Sequence, residues 1–433
     1  MRGENIMREE YSIKTKENFC TEISIPGSKS MTTRALILAA LSENPVILKN
    51  PLFSDDTVQM IECLTKLGNK ILVSDDKHYI KISGNKKREF GKKTLHVGNS
   101  ASVMKFLISY VATGKGEITI DASSRVSLRP IREFVDSIRE LGIEIEYVKK
   151  SGFLPIKIFA NGTTNNTIKV SGRNSSQYLS SVLLSASYFN SDINVITSHK
   201  ITSKSYVDIT LKMLQDFGAN IEKTETGYLV KKAKYNTVKG YLIEGDMASA
   251  SYFLAAALIT NSTIKINNFS YNSIQGDYKF LEILENLGLQ VISRTKTSIT
   301  VKGVESYEGF SLDLNRTPDL VPTLAIVALF AKTPSEIHNV ANLRTKGGDR
   351  LNSIRTEVKK INGSVTDLPD GLKIIPKKIG TYKGGVMETY NDHRLAMSFS
   401  LVGLKVPEIS ITNPHCVSKV FPNFFAEFEN IYK

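Results

Sequence analysis

Hydrophobic and polar positions recur along this chain in two separate patterns that share one long period. The first is an amphipathic helix that stops at glycine and leads into a strand: "MIECLTKLGNKI", "FVDSIRELGIEI", "LKMLQDFGANI", "FLEILENLGLQV" and "IRTEVKKINGSV". Its glycines, Gly68, Gly142, Gly218, Gly288 and Gly363, lie 70 to 76 residues apart. Glycine after a last helical turn reads as a C-cap, because it accepts positive φ at little cost. "FFAEFENIYK" supplies a sixth helix at the chain end. The second pattern is a polar cluster opening a helix that is apolar nearly all round. Its copies are "SKSMTTRALILAAL", "NSASVMKFLISYVAT", "NSSQYLSSVLLSASYF", "DMASASYFLAAALI", "PDLVPTLAIVALFA" and "NDHRLAMSFSLVGL". Their markers Lys29, Asn99, Asn174, Asp246, Pro318 and Asn391 are 70 to 75 residues apart. One sixth of the chain is about 72 residues, so the two periods agree.

Each repeat therefore carries one half-buried helix, one fully buried helix and short strands such as "HYIKI", "LPIKI" and "TSITV". A chain of 433 residues exceeds one ordinary core, and six repeats around two cores predict two domains of three units. The fold class is α+β. No GxGxxG is present, so a Rossmann sheet is not expected.

Composition narrows the partners. Fifty-six Lys and Arg against 43 Asp and Glu give a formal charge of +13. That excess favours anionic partners without separating nucleic acid from small phosphates or carboxylates. The three cysteines are far apart and include no CxxC, which suggests neither a disulfide framework nor a cysteine zinc site. The N-terminus "MRGENIMREEYS" has charges where a signal peptide needs an apolar core. The run "LVPTLAIVALFA" is too short to span a bilayer, and the expectation is a cytoplasmic protein with no membrane partner.

The helix starts hold the candidate chemistry. A buried helix hides its sides but must satisfy its N-terminal N–H groups, and that end is partly positive. Lys29 and Arg34 add full charges there, making a site that invites phosphate. Ser30 and Arg34 are four apart and share a helical face. A P-loop does not fit, because Ser28 separates Gly27 from Lys29. Elsewhere, Arg129 precedes Pro130, which the pattern predicts as a first helical residue. Lys346 and Arg350 flank a Gly-Gly turn, Asp392, His393 and Arg394 precede a buried helix, and Lys419 lies between prolines. Read alone, the Lys346 loop is more simply a solvated basic loop, and Lys419 is uninformative. His78, His96, His199 and His338 have no metal-ligand spacing.

Ten of these segments in order carry a family resemblance: "PGSKSMTTRALILAAL", "VGNSASVMKF", "LRPI", "SGRNSSQYL", "SKSYVDITL", "EGDMASASYFLAAA", "TPDLVPTLA", "KGGDRL", "YNDHRLAMSF" and "CVSKVFPNFF". The chain resembles the EPSP synthase (3-phosphoshikimate 1-carboxyvinyltransferase) family of enolpyruvyl transferases nearly end to end. The resemblance implies six βαβαββ-type units, three per domain, with the active site in the cleft between the domains. One domain is then built from both chain ends, residues 1–27 and 246–433, around an inserted domain of residues 28–245. It implies addition of the 5-hydroxyl of shikimate-3-phosphate to phosphoenolpyruvate, then loss of phosphate, in a monomer without cofactor or metal.

By motif match, shikimate-3-phosphate is assigned Lys29, Ser30, Arg34, Ser175, Ser176, Gln177, Ser203, Asp319, Asn342 and Lys346. Phosphoenolpyruvate is assigned Lys29, Asn99, Arg129, Gln177, Arg350, Arg394 and Lys419. Asp319 takes the proton of the attacking hydroxyl, Lys29 is a general-acid candidate, and His393 orients groups or shuttles protons. Three positions depart from the family pattern. Gly347 stands where a carboxylate implicated in C3 proton transfer is usual, which implies reduced turnover. Lys105 stands in place of an arginine. Ala101 replaces a glycine lining the phosphoenolpyruvate pocket, which implies weakened inhibition by glyphosate.

Three other readings compete. The sister enzyme acting on UDP-N-acetylglucosamine usually has a loop cysteine, and no cysteine lies between Cys63 and Cys416. A non-catalytic anion-binding homologue finds its support in Gly347. Nucleic-acid binding ranks last, because the cations sit at helix starts rather than in stripes interleaved with aromatics.

Overall fold

The computed structural model describes residues 9–173, 175–199, 201–236, 238–344 and 348–433. Asn174, Lys346 and Gly347, singled out above, lie outside the described residues. The chain forms two compact units, one of Met1–Pro26 with Gly245–Lys433 and the other of Gly27–Glu244. Each boundary falls one residue before the motif-based expectation.

The Gly27–Glu244 unit contains three four-stranded sheets with one topology. Their strand orders are Gly240–Leu242, Val46–Lys49, Tyr79–Ser83, Lys70–Val73; Glu89–His96, Lys115–Asp121, Ile156–Asn161, Glu144–Tyr147; and Thr167–Ser171, Ile193–Ser198, Gly227–Val230, Ile221–Lys223. In each, the first two strands are parallel and the rest antiparallel. A parallel pair needs a crossover, and in two sheets a buried helix provides it. Ala101–Val111 links the second sheet's pair and Ser176–Ala186 the third's. The first sheet differs: its outer strand, Gly240–Leu242, comes from the far end of the unit and pairs with Val46–Lys49.

The other unit repeats the plan. Cys20–Ser24 lies parallel to Thr263–Asn267, which is antiparallel to Ser298–Lys302. Ser311–Asp313 lies parallel to Ser335–His338, followed by Gly371–Ile375 and Ser364–Leu368. The last sheet has three strands: Gly385–Met387 parallel to Ile409–Thr412, and Glu10–Ile13 antiparallel to the latter. Two segments from the chain start thus complete sheets made mostly from its second half.

The buried helices owe their position to composition. In Met247–Thr260 all fourteen residues are buried, and in Lys29–Leu41 all but the first two are. A helix apolar on every side has no face for water and must lie inside. Polar N-caps start them: Ser28, Ser100, Ser175, Asp246 and Asp392 each accept a backbone N–H of the first turn. Gly68, Gly142, Gly218 and Gly288 have φ between +83° and +102° as C-cap residues. The fifth copy departs from expectation. Asn362 takes the left-handed position at φ +62°, and a Cβ on Gly363 would stand 2.7 Å from the Val358 carbonyl oxygen. Gly363 serves close approach, not the cap.

Two further expectations need correction. Pro130 is not helical: the helix is Arg132–Arg139 with Ile131 as its N-cap residue. The C-terminal helix is short, Phe424–Phe428 with a 3-10 continuation Glu429–Tyr432. Among the described residues no helix is long and apolar enough to cross a membrane.

Candidate functional site

Candidate residues of the Gly27–Glu244 unit cluster at helix starts. Lys29, the first residue of Lys29–Leu41, places Nζ 3.2 Å from Asp56 Oδ2, which is nearly buried in the first turn of Asp55–Lys66. Arg34 is 2% exposed and meets neutral oxygens. Its Nε donates to Thr210 Oγ1 at 2.7 Å, Nη1 to the Ser30 carbonyl at 2.8 Å, and Nη2 to the Tyr206 carbonyl at 3.0 Å and Ser180 Oγ at 3.4 Å. Burial without a carboxylate in that set lowers its pKa to about 10. Arg34 thereby ties its helix to Ser176–Ala186 and Ser205–Asp216.

A second group joins two helix starts. Lys105, on Ala101–Val111, donates to Ser175 Oγ at 3.1 Å and Gln177 Oε1 at 2.9 Å. Gln177 Nε2 donates to Ser102 Oγ at 2.7 Å, so both ends of its amide are held. Ser175 also caps its helix by accepting the Gln177 N–H, and Ser176 is buried. Ser203 is buried with φ +53°, just before Ser205–Asp216. Asn99 is exposed in the loop before Ala101–Val111 and accepts the Ser123 hydroxyl. Arg129, half-buried, follows the turn that Ser123 starts, and its backbone N–H donates to Val126 at 3.0 Å.

In the unit built from both chain ends, three helix starts converge on one carboxylate. Asp319 sits in the 3-10 turn Pro318–Leu320 that leads into Val321–Leu329. Its Oδ1 accepts Arg350 Nη1 at 3.3 Å and its Oδ2 accepts Arg394 Nη2 at 2.9 Å. Arg350 begins Arg350–Lys360, and Arg394 is second in His393–Gly403. Arg350 also binds Asp392 Oδ2 through Nε at 2.9 Å and Nη2 at 2.8 Å. Asp392 caps its helix through Oδ1, which accepts the Arg394 N–H at 2.9 Å.

Charge follows from this pairing. Burial opposes ionisation of Asp392, but the Arg350 guanidinium, then His393 and the Arg394 N–H, outweigh it and hold the carboxyl far below its usual range. Burial likewise opposes the Arg350 charge, and Asp392 with Asp319 more than restores it, raising its pKa. Behind Arg394, burial pushes the Tyr252 phenol well up, an effect the arginine partly offsets. His393 is buried, with Nε2 inaccessible to solvent. Asn342 lies in the turn Ala341–Arg344 with its amide atoms inaccessible, and half-buried Lys419 ends the turn Pro414–Lys419. Among the described residues no group of three or more His, Cys, Asp and Glu is arranged to hold a metal ion.

The structure thus joins Asp319, Arg350 and Arg394 directly, and links Ser175 with Gln177 through Lys105. It adds three partners that sequence reasoning left without a role: Asp56 for Lys29, Asp392 for Arg350, and Lys105 as a bridge. Asp56 and Asp392 each follow an N-cap or form one, the sole local signal available.

Comparison with known proteins decides the family. The model of the EPSP synthase (3-phosphoshikimate 1-carboxyvinyltransferase) family matches residues 13–428. The chain belongs to the EPSP synthase family. It is 37% identical over 415 residues to the 3-phosphoshikimate 1-carboxyvinyltransferase of Marinomonas sp. (strain MWYL1), covering 95% of this chain and 96% of that one. To the same-named protein of Haemophilus ducreyi it is 36% identical over 419 residues, with the same coverage. The fold matches a solved structure of EPSP synthase from Acinetobacter baumannii at a TM-score of 0.83, with 23% identity and 98% of both chains covered. The six mixed sheets described above are thus an EPSP synthase architecture.

Proposed function

We propose that the protein is a 3-phosphoshikimate 1-carboxyvinyltransferase. The 5-hydroxyl of shikimate-3-phosphate adds to C2 of phosphoenolpyruvate while C3 gains a proton. The tetrahedral adduct then loses phosphate and a proton from the new methyl group, leaving the enol ether. The two substrates carry two phosphates and two carboxylates, and cations at helix starts offset their repulsion. Lys29, Ser30, Arg34, Ser175, Ser176, Gln177, Ser203, Asn342 and Lys346 bind shikimate-3-phosphate. Arg129, Arg350, Arg394 and Lys419, with Asn99, Gln177 and Lys29, bind phosphoenolpyruvate. Guanidinium suits both anions because its planar fork matches two oxygens at once.

The observation that carries this reading is the bridging of Asp319 by Arg350 and Arg394. Asp319 is an anion that both guanidiniums serve. An incoming phosphate or carboxylate competes for the same N–H groups and takes them over. Asp319 is then released toward the hydroxyl whose proton it accepts, so donor binding prepares the base. Lys29 donates to the bridging or departing oxygen, and buried His393 orients the neighbouring groups.

Steady-state phosphate release tests the reading. Release is expected only when shikimate-3-phosphate and phosphoenolpyruvate are both present, and UDP-N-acetylglucosamine is not expected to replace the first. No release with the pair, or equal release with the sugar nucleotide, contradicts it.

A further inference from the structure

The helix Arg350–Lys360 is fastened at two places to the segment that leads into His393–Gly403. At its start Arg350 grips Asp392, as described. Two turns along the same face is Glu357, fully buried. Its Oε1 accepts the Tyr390 hydroxyl at 2.6 Å and its Oε2 accepts the Glu388 N–H at 2.9 Å. Lys360 Nζ lies 2.8 Å from the same Oε2.

Between the two fastenings the backbone is strained. Tyr390 and Asn391 have φ +52° and +53°, two successive left-handed residues immediately before Asp392. A bulky aromatic rarely adopts that region, and such strain persists only where surrounding contacts over-determine it. Glu357 supplies one of those contacts, to the Tyr390 hydroxyl, and Asn413 Nδ2 another, to Asn391 Oδ1 at 3.2 Å. The turn is closed by the Asp392 N–H on the Thr389 carbonyl at 2.8 Å and by Glu388 Oε1, which accepts the Tyr390 N–H at 3.2 Å. Its outcome is the placement of Asp392 as cap and as the partner of Arg350.

We propose that Glu357 is a positioning residue for donor binding. Through Tyr390 and the Glu388 backbone it holds the left-handed turn that sets Asp392, and with it Arg350 and Arg394, in register for an anion. This rests on the assignment of those two arginines to phosphoenolpyruvate. Glu357 touches no substrate and acts only through the turn.

The test is a double-mutant cycle of Tyr390→Phe and Glu357→Gln, reading kcat, the KM of each substrate and Tm, with Arg350→Lys as control. Each single variant is expected to raise the phosphoenolpyruvate KM by roughly tenfold while leaving the shikimate-3-phosphate KM within about twofold. The double variant is expected to match Glu357→Gln alone, because the Tyr390 contact is one of those through which Glu357 holds the turn. A lowered Tm with an unchanged phosphoenolpyruvate KM marks a purely structural role and overturns the proposal, as do independent, additive effects on that KM. If Glu357→Gln does not fold, Tyr390→Phe, which removes one oxygen, still decides between these outcomes. Arg350→Lys is expected to raise the same KM. If it does while the other two variants do not, the positioning role falls and the binding assignment stands. If it does not, the assignment falls, and the proposal with it.

Discussion

The two units neutralise their helix-start cations differently. In the unit built from both chain ends, Arg350 and Arg394 meet carboxylates, Asp319 and Asp392. In the inserted unit, Arg34 meets a carbonyl, a hydroxyl, a second carbonyl and a second hydroxyl. Lys105 meets a hydroxyl and an amide, and Lys29 has a carboxylate neighbour in Asp56. Under the proposed function, the ion pairs of the first arrangement exchange partners when a ligand anion arrives. In the second, neutral oxygens hold the buried charge of Arg34, and under the proposed function an arriving anion displaces no carboxylate from it. On the same reading, one half couples binding to the release of a base, and Arg34 in the other binds without that step.

Breaking the ion-pair half is expected to have the largest effect on stability. Replacing Arg350 by Met strips buried Asp392 of its guanidinium and leaves Asp319 to Arg394, and should cost about 3–5 kcal/mol, seen by denaturant unfolding. A loss of under about 1 kcal/mol would show the pairs to be no stronger than surface ones. The pH dependence sharpens this. The pKa of Asp392 is depressed in the folded protein, so its stabilising contribution is present above the unfolded-state value of about 3.9 and is lost as pH falls toward the folded-state value. The Tm difference between wild type and Asp392→Asn should be largest near neutrality and shrink on acidification below about pH 4. A difference that stays constant with pH contradicts the pairing.

In the dipole-held half, Arg34→Met should be milder for the fold. Thr210 Oγ1 keeps its bonds to the Tyr206 carbonyl at 2.8 Å and to Ser180 Oγ at 2.9 Å, so the network closes on itself. A stability change within about 1.5 kcal/mol is expected. The KM for shikimate-3-phosphate should nevertheless rise by roughly tenfold or more, from loss of a charged contact. An unchanged KM would confine Arg34 to the scaffold. The smallest expected change is a gain: Gly347→Glu, which supplies a group able to carry a proton, should raise kcat by roughly severalfold. A flat turnover rate would show that the C3 proton travels by another group.

Much of the fold was legible in the chain because burial writes itself in composition. Helices such as Met247–Thr260 can sit nowhere but inside, and their polar caps recur with the repeat. The exchange of strands was not legible from periodicity. Cys20–Ser24 and Gly240–Leu242 look like ordinary repeat strands, and their sheets are chosen by long-range pairing. Only the family resemblance implied a domain built from both ends. Local caps failed where a neighbour could do the same work: Asn362 adopts the left-handed turn assigned to Gly363, and Ile131 starts the helix expected at Pro130.

The candidate site divides the same way. Arg394 was visible because a cation ahead of a buried helix is hard to explain as surface, whereas Arg350, in what reads alone as a solvated basic loop, and Asp319, which reads alone as a cap, were assigned only through the family resemblance. Asp56, Asp392 and Lys105 were not assigned roles, because a side chain's partner in another helix leaves no trace in local spacing. Glu357 is the extreme case. It reads as one more charged residue on an amphipathic helix, and it is fully buried.

The most direct test of the account is single-turnover kinetics of Asp319→Asn beside equilibrium binding of both substrates. The account predicts dissociation constants within a few-fold of wild type and a chemical step slowed by roughly 10²-fold or more. A chemical step at the wild-type rate would contradict it.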